Sequence, residues 1–144
     1  INGIDKYELV SSPLKRAFET GSKLKEKLKG SLDINSSFAE IPSPGISLED
    51  RQTWLREIFN KKISDLKKPQ AEWRKNIIDK IWRIENPTVI FSHFMVINTI
   101  VGYVKKDESM VCFYPDNCSI TKLNKSEDEI HLVNLGSELS SRIN

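Results

Sequence analysis

Cysteine and an excess of charge of one sign, which identify several classes of protein, are both scarce in these 144 residues. Two cysteines, Cys112 and Cys118, are too few for a disulfide framework, and neither has a histidine at metal-ligand spacing. We therefore expect reduced thiols, no bound metal and no other cofactor. Lys and Arg total 22 against 20 acidic residues, which gives a net charge of +2. So small a net charge produces no general electrostatic field that would favour binding to nucleic acid or to a membrane surface.

Long apolar runs and targeting features are also missing. Residues 88–104 are the most apolar stretch, but polar side chains interrupt it, so it predicts buried core rather than a membrane span. Ile1–Asp5 has neither the basic nor the apolar region of a signal peptide, and we expect a cytoplasmic protein. No internal repeat is visible, and the length fits one domain over residues 1–144.

What the chain does contain is an alternation of strand and helix patterns. Tyr7–Ser11 is predicted as a strand that ends at Ser12-Pro13, where the serine can cap a helix and the proline suits its first turn. Apolar residues of that helix fall on one stripe, which we expect to be buried: Leu14, Ala17, Phe18, Gly21, Leu24 and Leu28. Gly30 ends the helix, and Ser31–Ile41 predicts a short strand followed by a loop.

The second half of the chain repeats this alternation. Ser47 begins a helix, with Asp50 at the position of a near capping box. The later predicted elements are a helix between Pro69 and Pro87, a strand at Thr88–Ser92, a buried helix at Phe94–Val104, and strands at Cys118–Leu123 and Ile130–Leu135. The apolar strand Thr88–Ser92 is expected to be covered on both faces. Strands that alternate with helices predict an α/β fold with a layered sheet.

Reactive side chains follow two of the predicted strands. Ser12 and Arg16 follow the first, and His93 follows Thr88–Ser92. Ligands of such sheets bind outside the carboxyl ends of the strands. A guanidinium beside a helix N-terminus suits an oxyanion, and an imidazole can donate a hydrogen bond to the same oxyanion or move a proton. Each residue also has an ordinary interpretation, as a surface arginine or a core histidine, so the residues by themselves leave the choice open.

Three segments carry a resemblance to a known family. They are residues 11–20 (SSPLKRAFET), 89–97 (VIFSHFMVI) and 116–121 (DNCSIT). They resemble, in family order, the S-S-P-L-x-R-A-x-E-T, strand-S-H-(G or F)-x-V-I and N-C-S-I-T segments of the histidine phosphatase superfamily, the phosphoglycerate mutase-like proteins. The resemblance runs over nearly the whole chain. It implies a three-layer α/β sandwich, with a mostly parallel sheet flanked by helices.

The resemblance also implies a reaction and roles for particular residues. The reaction is phosphoryl transfer from a small-molecule phosphate ester through a phosphohistidine, without a metal. Arg16 matches the second of the family's two phosphate-binding arginines, and His93 matches its second, non-nucleophilic histidine. Glu40 lies where the family's proton donor falls. Its neighbours Glu49, Asp50 and Glu57 are the alternative acids.

Two further substrate contacts are expected at the same site. Ser12 belongs to the segment that carries Arg16, next to the predicted helix start. Phe94 stands where most relatives have glycine, and the larger side chain would narrow the rim beside His93. We therefore predict that Ser12 and Phe94 bind substrate together with Arg16.

The chain departs from the family pattern at one motif. The family begins with a strand ending in R-H-G, which carries the nucleophilic histidine, and no R-H-G occurs here. The other histidine, His131, lies in a predicted strand away from any matching position. The resemblance implies a segment upstream of Ile1 that lies in the sheet between Tyr7–Ser11 and Thr88–Ser92. Without it we expect unpaired backbone groups across an empty slot, and residues 1–144 alone to be poorly soluble and inactive.

These observations leave alternative functions. The leading prediction is a phosphomonoester hydrolase, and the second is an inactive module of the same fold that binds a phosphate group or phosphoprotein. A mutase-type phosphotransferase is disfavoured because Pro42–Gly45 does not resemble the longer mutase loop. A nucleic-acid module would need aromatic residues interleaved on a basic face, which the chain lacks. Neither the substrate nor the oligomeric state can be predicted.

Overall fold

The computed structural model describes residues 6–28 and 30–139. Its helices are α1 (Lys15–Leu28), α2 (Leu48–Phe59), α3 (Gln70–Trp82) and α4 (Phe94–Lys105). Its strands are β1 (Glu8–Ser11), β2 (Leu32–Ile34), β3 (Thr88–Phe91), β4 (Lys122–Lys125) and β5 (Ile130–Asn134). The fold is mixed α/β with a parallel sheet flanked by helices, as predicted.

The parallel sheet has the strand order β2-β1-β3. β1 pairs with β3 in a continuous register from Glu8 opposite Thr88 to Ser11 opposite Phe91. The predicted position of a further strand between β1 and β3 is therefore wrong, because these two strands bond directly to each other. No empty slot separates them, and the expectation of poor solubility loses its physical basis. Within the described residues, β3 has no strand partner on its other edge.

Helix α1 lies against the sheet through its smallest side chains. Leu14 N donates to Ser12 Oγ over 3.1 Å just before the helix. The helix itself begins at Lys15, two residues later than the predicted first position at Pro13. Ala17 and Gly21 are buried, and a Cβ added at Gly21 would lie 3.0 Å from the Phe91 ring. The predicted buried stripe is wrong at Leu14 and Phe18, which are 45% and 42% exposed. Periodicity identified their common face, but no described element covers it.

The main core forms where α2, α3 and α4 meet the loop after β2. It consists of Phe38, Ile41, Ile58, Trp73, Ile77, Ile81, Met95, Val96, Ile100 and Met110. The predicted start of α2 is confirmed, because Ser47 Oγ accepts from Asp50 N over 3.2 Å. Helix α4 is the most buried element, as its largely apolar sequence predicts.

Two expectations about strands need correction. β3 is half-buried along its whole length rather than covered on both faces, because it lies at the edge of the three-stranded sheet. The predicted strand at Cys118–Leu123 begins only at Lys122, where it pairs antiparallel with β5. Cys118 instead has φ 60°, and Ser119 N donates back to Asp116 O in a turn. Both cysteines are free thiols.

Residues 6–28 and 30–139 contain the four α-helices given above. None is both long enough and apolar enough to span a membrane.

Replacing Ile77 by Ala should lower the free energy of unfolding by about 2–5 kcal/mol. Ile77 is fully buried within the main core, so truncation leaves a cavity. Ile78→Ala on the same helix is the matched control, since Ile78 is only half-buried and should cost clearly less. Urea unfolding of both variants measures the difference, and equal losses would contradict the placement of the core.

Candidate active site

The pairing of β1 with β3 brings two distant segments of the chain together. Ser12 N donates to Phe91 O over 2.9 Å, which extends the ladder one residue beyond β1. Two residues past Phe91, His93 Nε2 and Ser12 Oγ form a hydrogen bond of 2.8 Å. Both side chains are buried, although 81 residues separate them in sequence. The predicted proximity of these two strand ends is therefore present.

Arg16 stands beside this pair, in the first turn of α1. Its side chain is exposed. Burial lowers the pKa of His93, and the positive charge of Arg16 lowers it further. Both effects favour the neutral form of the His93 imidazole. Arg16 provides a positive charge at this place, and His93 provides a polar ring without adding a second positive charge.

Glu40 is held at the same place by a well-anchored loop. Phe38 and Ile41, on either side of it, are core residues. Ser92 Oγ donates to Phe38 O over 2.8 Å, and Trp73 Nε1 donates to Ala39 O over 2.9 Å. The loop is thus fixed both to the end of β3 and to α3, and Glu40 has little freedom to move away.

The carboxylate of Glu40 contacts the N-terminus of α4. It accepts from Ile41 N over 3.1 Å and, at a longer 3.5 Å, from Met95 N. Burial raises the pKa of Glu40, against the opposing effects of those two N–H groups and of the Arg51 and Arg16 charges. A carboxyl whose pKa is raised keeps a proton at higher pH, which is the property that a general acid needs.

Arg51 is a residue near the site that the sequence did not indicate. It lies on α2, its guanidinium donates to Ser43 in the loop after Glu40, and its charge acts on the Glu40 carboxyl. In sequence Arg51 follows Glu49 and Asp50 on a helix with charged residues on several sides, so no pattern separates it from surface arginines. Only the fold of the Pro42–Gly45 loop brings it to Glu40.

Phe94 has a structural environment that the sequence did not suggest. Its ring stacks on Phe59 at 5.5 Å between centroids and lies 5.7 Å from the ring of Tyr114. The side chain also packs against the main core. Phe94 therefore joins α4 to the end of α2, directly beside His93, and its expected contact with substrate stays a prediction.

The other acids and the second histidine lie elsewhere. His131 is exposed on β5, where Nε2 bonds to Glu129 Oε2 at 2.8 Å. Glu49, Asp50 and Glu57 are exposed on α2, whereas Glu40 is half-buried. In the part of the chain that the structure describes, no three His, Cys, Asp or Glu side chains cluster as a metal site would require.

The arrangement combines three complementary groups. Arg16 carries a positive charge, His93 is a polar ring of lowered pKa and Glu40 is a half-buried carboxyl of raised pKa. A phosphate-like anion could be held by the first two, while the third could give a proton to an oxygen that departs from it.

Comparisons with known proteins agree with this description. A family model described as the histidine phosphatase superfamily, branch 1, matches residues 2–138. A search of curated proteins found no match.

Several solved structures have the same fold at low sequence identity. "Mycobacterial hydrolase 1" is 16% identical with a TM-score of 0.69, and the match covers 95% of this chain and 79% of that one. A mycobacterial glucosyl-3-phosphoglycerate phosphatase in complex with inorganic phosphate is 15% identical with a TM-score of 0.65, covering 94% and 80%. A phosphoglycerate mutase from Bacillus anthracis str. Sterne is 14% identical with a TM-score of 0.60, covering 93% and 75%.

Replacing Arg16 by Gln should raise the pKa of His93, because it removes the positive charge that opposes protonation of the ring. Burial remains the larger cause, so the pKa should stay below its ordinary value. Lys15→Gln removes the same charge from an exposed neighbour and is the control. NMR titration of the His93 imidazole measures both variants. An equal shift in the two variants, or none with Arg16→Gln, would contradict the coupling.

Proposed function

We propose that this chain, which belongs to the histidine phosphatase superfamily, is the phosphate-binding part of a phosphomonoester hydrolase. The observation that carries the proposal is the meeting of Arg16, His93 and Glu40, which come from three separate segments. Its substrate is a small phosphate ester, and its compartment is the cytoplasm.

Each of the three residues has one role in the proposed reaction. Arg16 holds the phosphoryl oxygens with its planar fork, and His93 donates a hydrogen bond to the same group. Glu40 protonates the leaving oxygen as the bond from phosphorus to that oxygen breaks. A nucleophilic histidine forms the new bond to phosphorus, and water then releases phosphate from the phosphohistidine.

The nucleophile is proposed to come from outside these 144 residues. The sequence has two histidines, of which His93 is bonded to Ser12 and His131 is exposed beside Glu129. A nucleophile on a strand could reach the phosphate by pairing along the edge of β3 that has no partner in the described residues. A parallel strand there would end next to His93, as β1 does on the opposite side.

A second candidate function follows from the same count of histidines. If the gene product contains no nucleophilic histidine, the site would bind a phosphate group or a phosphoprotein without turning it over. Trapping a phosphohistidine in the full gene product during phosphatase assays supports the hydrolase. Binding of phosphate with neither turnover nor a phosphohistidine supports the binding module instead.

Arg16→Ala should reduce kcat/KM of the full gene product by about 30-fold or more, or about 2 kcal/mol, because a charge-assisted contact to the phosphoryl group is lost. Arg16→Lys should recover only part of the loss, since a point charge lacks the bidentate fork. Lys15→Ala, one residue earlier and also exposed, should change little. Steady-state assays of the three variants test this, and activity within about threefold after Arg16→Ala would remove Arg16 from the site.

Glu40→Gln should impair alkyl phosphates more than p-nitrophenyl phosphate. The alkoxide leaving group needs a proton, whereas nitrophenolate departs readily without one. Glu57→Gln on the exposed face of α2 is the control. The ratio of kcat/KM for the two substrates measures the effect, and equal losses on both would reject Glu40 as the acid.

A further inference from the structure

The hydroxyl of Ser12 has a restricted set of hydrogen-bond partners. The residue is completely buried, and the described residues offer Ser12 Oγ two contacts, Leu14 N at 3.1 Å and His93 Nε2 at 2.8 Å. The backbone N–H can only donate, so Ser12 Oγ accepts from it. The hydroxyl hydrogen still needs an acceptor, as buried polar groups almost always have one.

Of these two contacts, only the imidazole nitrogen can accept that hydrogen. A neutral imidazole has one nitrogen that accepts and one that carries hydrogen. We propose that Ser12 is a positioning residue that donates to His93 Nε2 and thereby holds His93 as the neutral tautomer with its hydrogen on Nδ1. Ser12 is then a support for His93 rather than a contact to substrate.

This assignment specifies what His93 can do at the site. Nε2 is occupied by Ser12, so Nδ1–H is the ring's remaining polar group and can donate to a phosphoryl oxygen. If His93 accepted a proton at Nε2 as a general base, the hydroxyl hydrogen of Ser12 would lose its acceptor. His93 is therefore a fixed donor and not a general base, a role that rests on the proposed phosphate site. The lowered pKa of His93 agrees with a neutral ring.

The bond also explains how the ring is aimed. Ser12 is fixed at the end of β1 by its bond to Phe91 O, and its hydroxyl is oriented by Leu14 N at the start of α1. The tautomer and direction of His93 thus depend on β1, β3 and α1 together. In many proteins a hydrogen bond to one ring nitrogen of a functional histidine selects its tautomer and orients the ring.

Imidazole ¹⁵N NMR of the protein tests the tautomer directly. The expected result is an N–H signal at His93 Nδ1 and an unprotonated Nε2, with exposed His131 as an internal reference. Protonation at Nε2 in the unsubstituted protein would overturn the proposal. This measurement needs no activity, so its failure is distinct from failure of the proposed function.

Two variants separate positioning from general packing. Ser12→Ala should abolish the preference for Nδ1–H. Ser11→Ala should preserve it, because Ser11 is equally buried but its hydroxyl donates to Ser12 O over 2.8 Å and does not touch His93. An unchanged tautomer in Ser12→Ala would contradict the proposal. If Ser12→Ala does not fold, Ser12→Thr keeps the hydroxyl and should retain Nδ1–H, and its loss there would also count against the assignment.

Titration with inorganic phosphate tests the donor role. Phosphate should shift the Nδ1 signal of His93 while Nε2 stays unprotonated. A shift of Nε2 to the protonated state, or no response of Nδ1 at phosphate concentrations that saturate binding, would overturn the donor role.

Discussion

The parallel pairing of β1 with β3 is the constraint on which the site depends. It places the residues that follow each strand at one edge of the sheet, and the bond from Ser12 N to Phe91 O carries this alignment one step beyond β1. Ser12 and His93 meet because of that register. A shift by one residue would turn the side chains of a strand to its opposite face, so the site and the sheet are specified by the same set of backbone bonds.

Burial acts in opposite directions on the two titratable side chains of the site. It disfavours the charged form of each, which raises the pKa of the Glu40 carboxyl and lowers the pKa of the His93 imidazole. Both groups are thereby driven towards neutrality, and Arg16 is left as a formal charge that a phosphate can meet.

Local signals in the sequence predicted local structure well, and non-local contacts account for the rest. The capped start of α2 and the buried α4 depend on neighbouring residues, and both are confirmed. Strand order depends on contacts between distant segments, so the alternation of elements could not show that β1 and β3 adjoin. Cys118 illustrates the limit of short patterns, because its backbone adopts a positive φ within a turn rather than a strand. The loop that carries Glu40 is fixed by the hydrogen bond from Trp73 Nε1 to Ala39 O, and these two residues are 34 positions apart in sequence.

Binding and bond formation to phosphorus are separate tasks in the proposed site. His93 and Glu40 are oriented by bonds within the described residues, and none of those bonds involves a nucleophile. The proposed binding geometry therefore does not depend on a nucleophile. Loss of the nucleophile would remove turnover without removing the anion site, so a hydrolase and a phosphate-binding module could share this arrangement. In the proposal, what distinguishes them is whether a nucleophilic histidine approaches beside His93, along the edge of β3 that has no strand partner in the described residues.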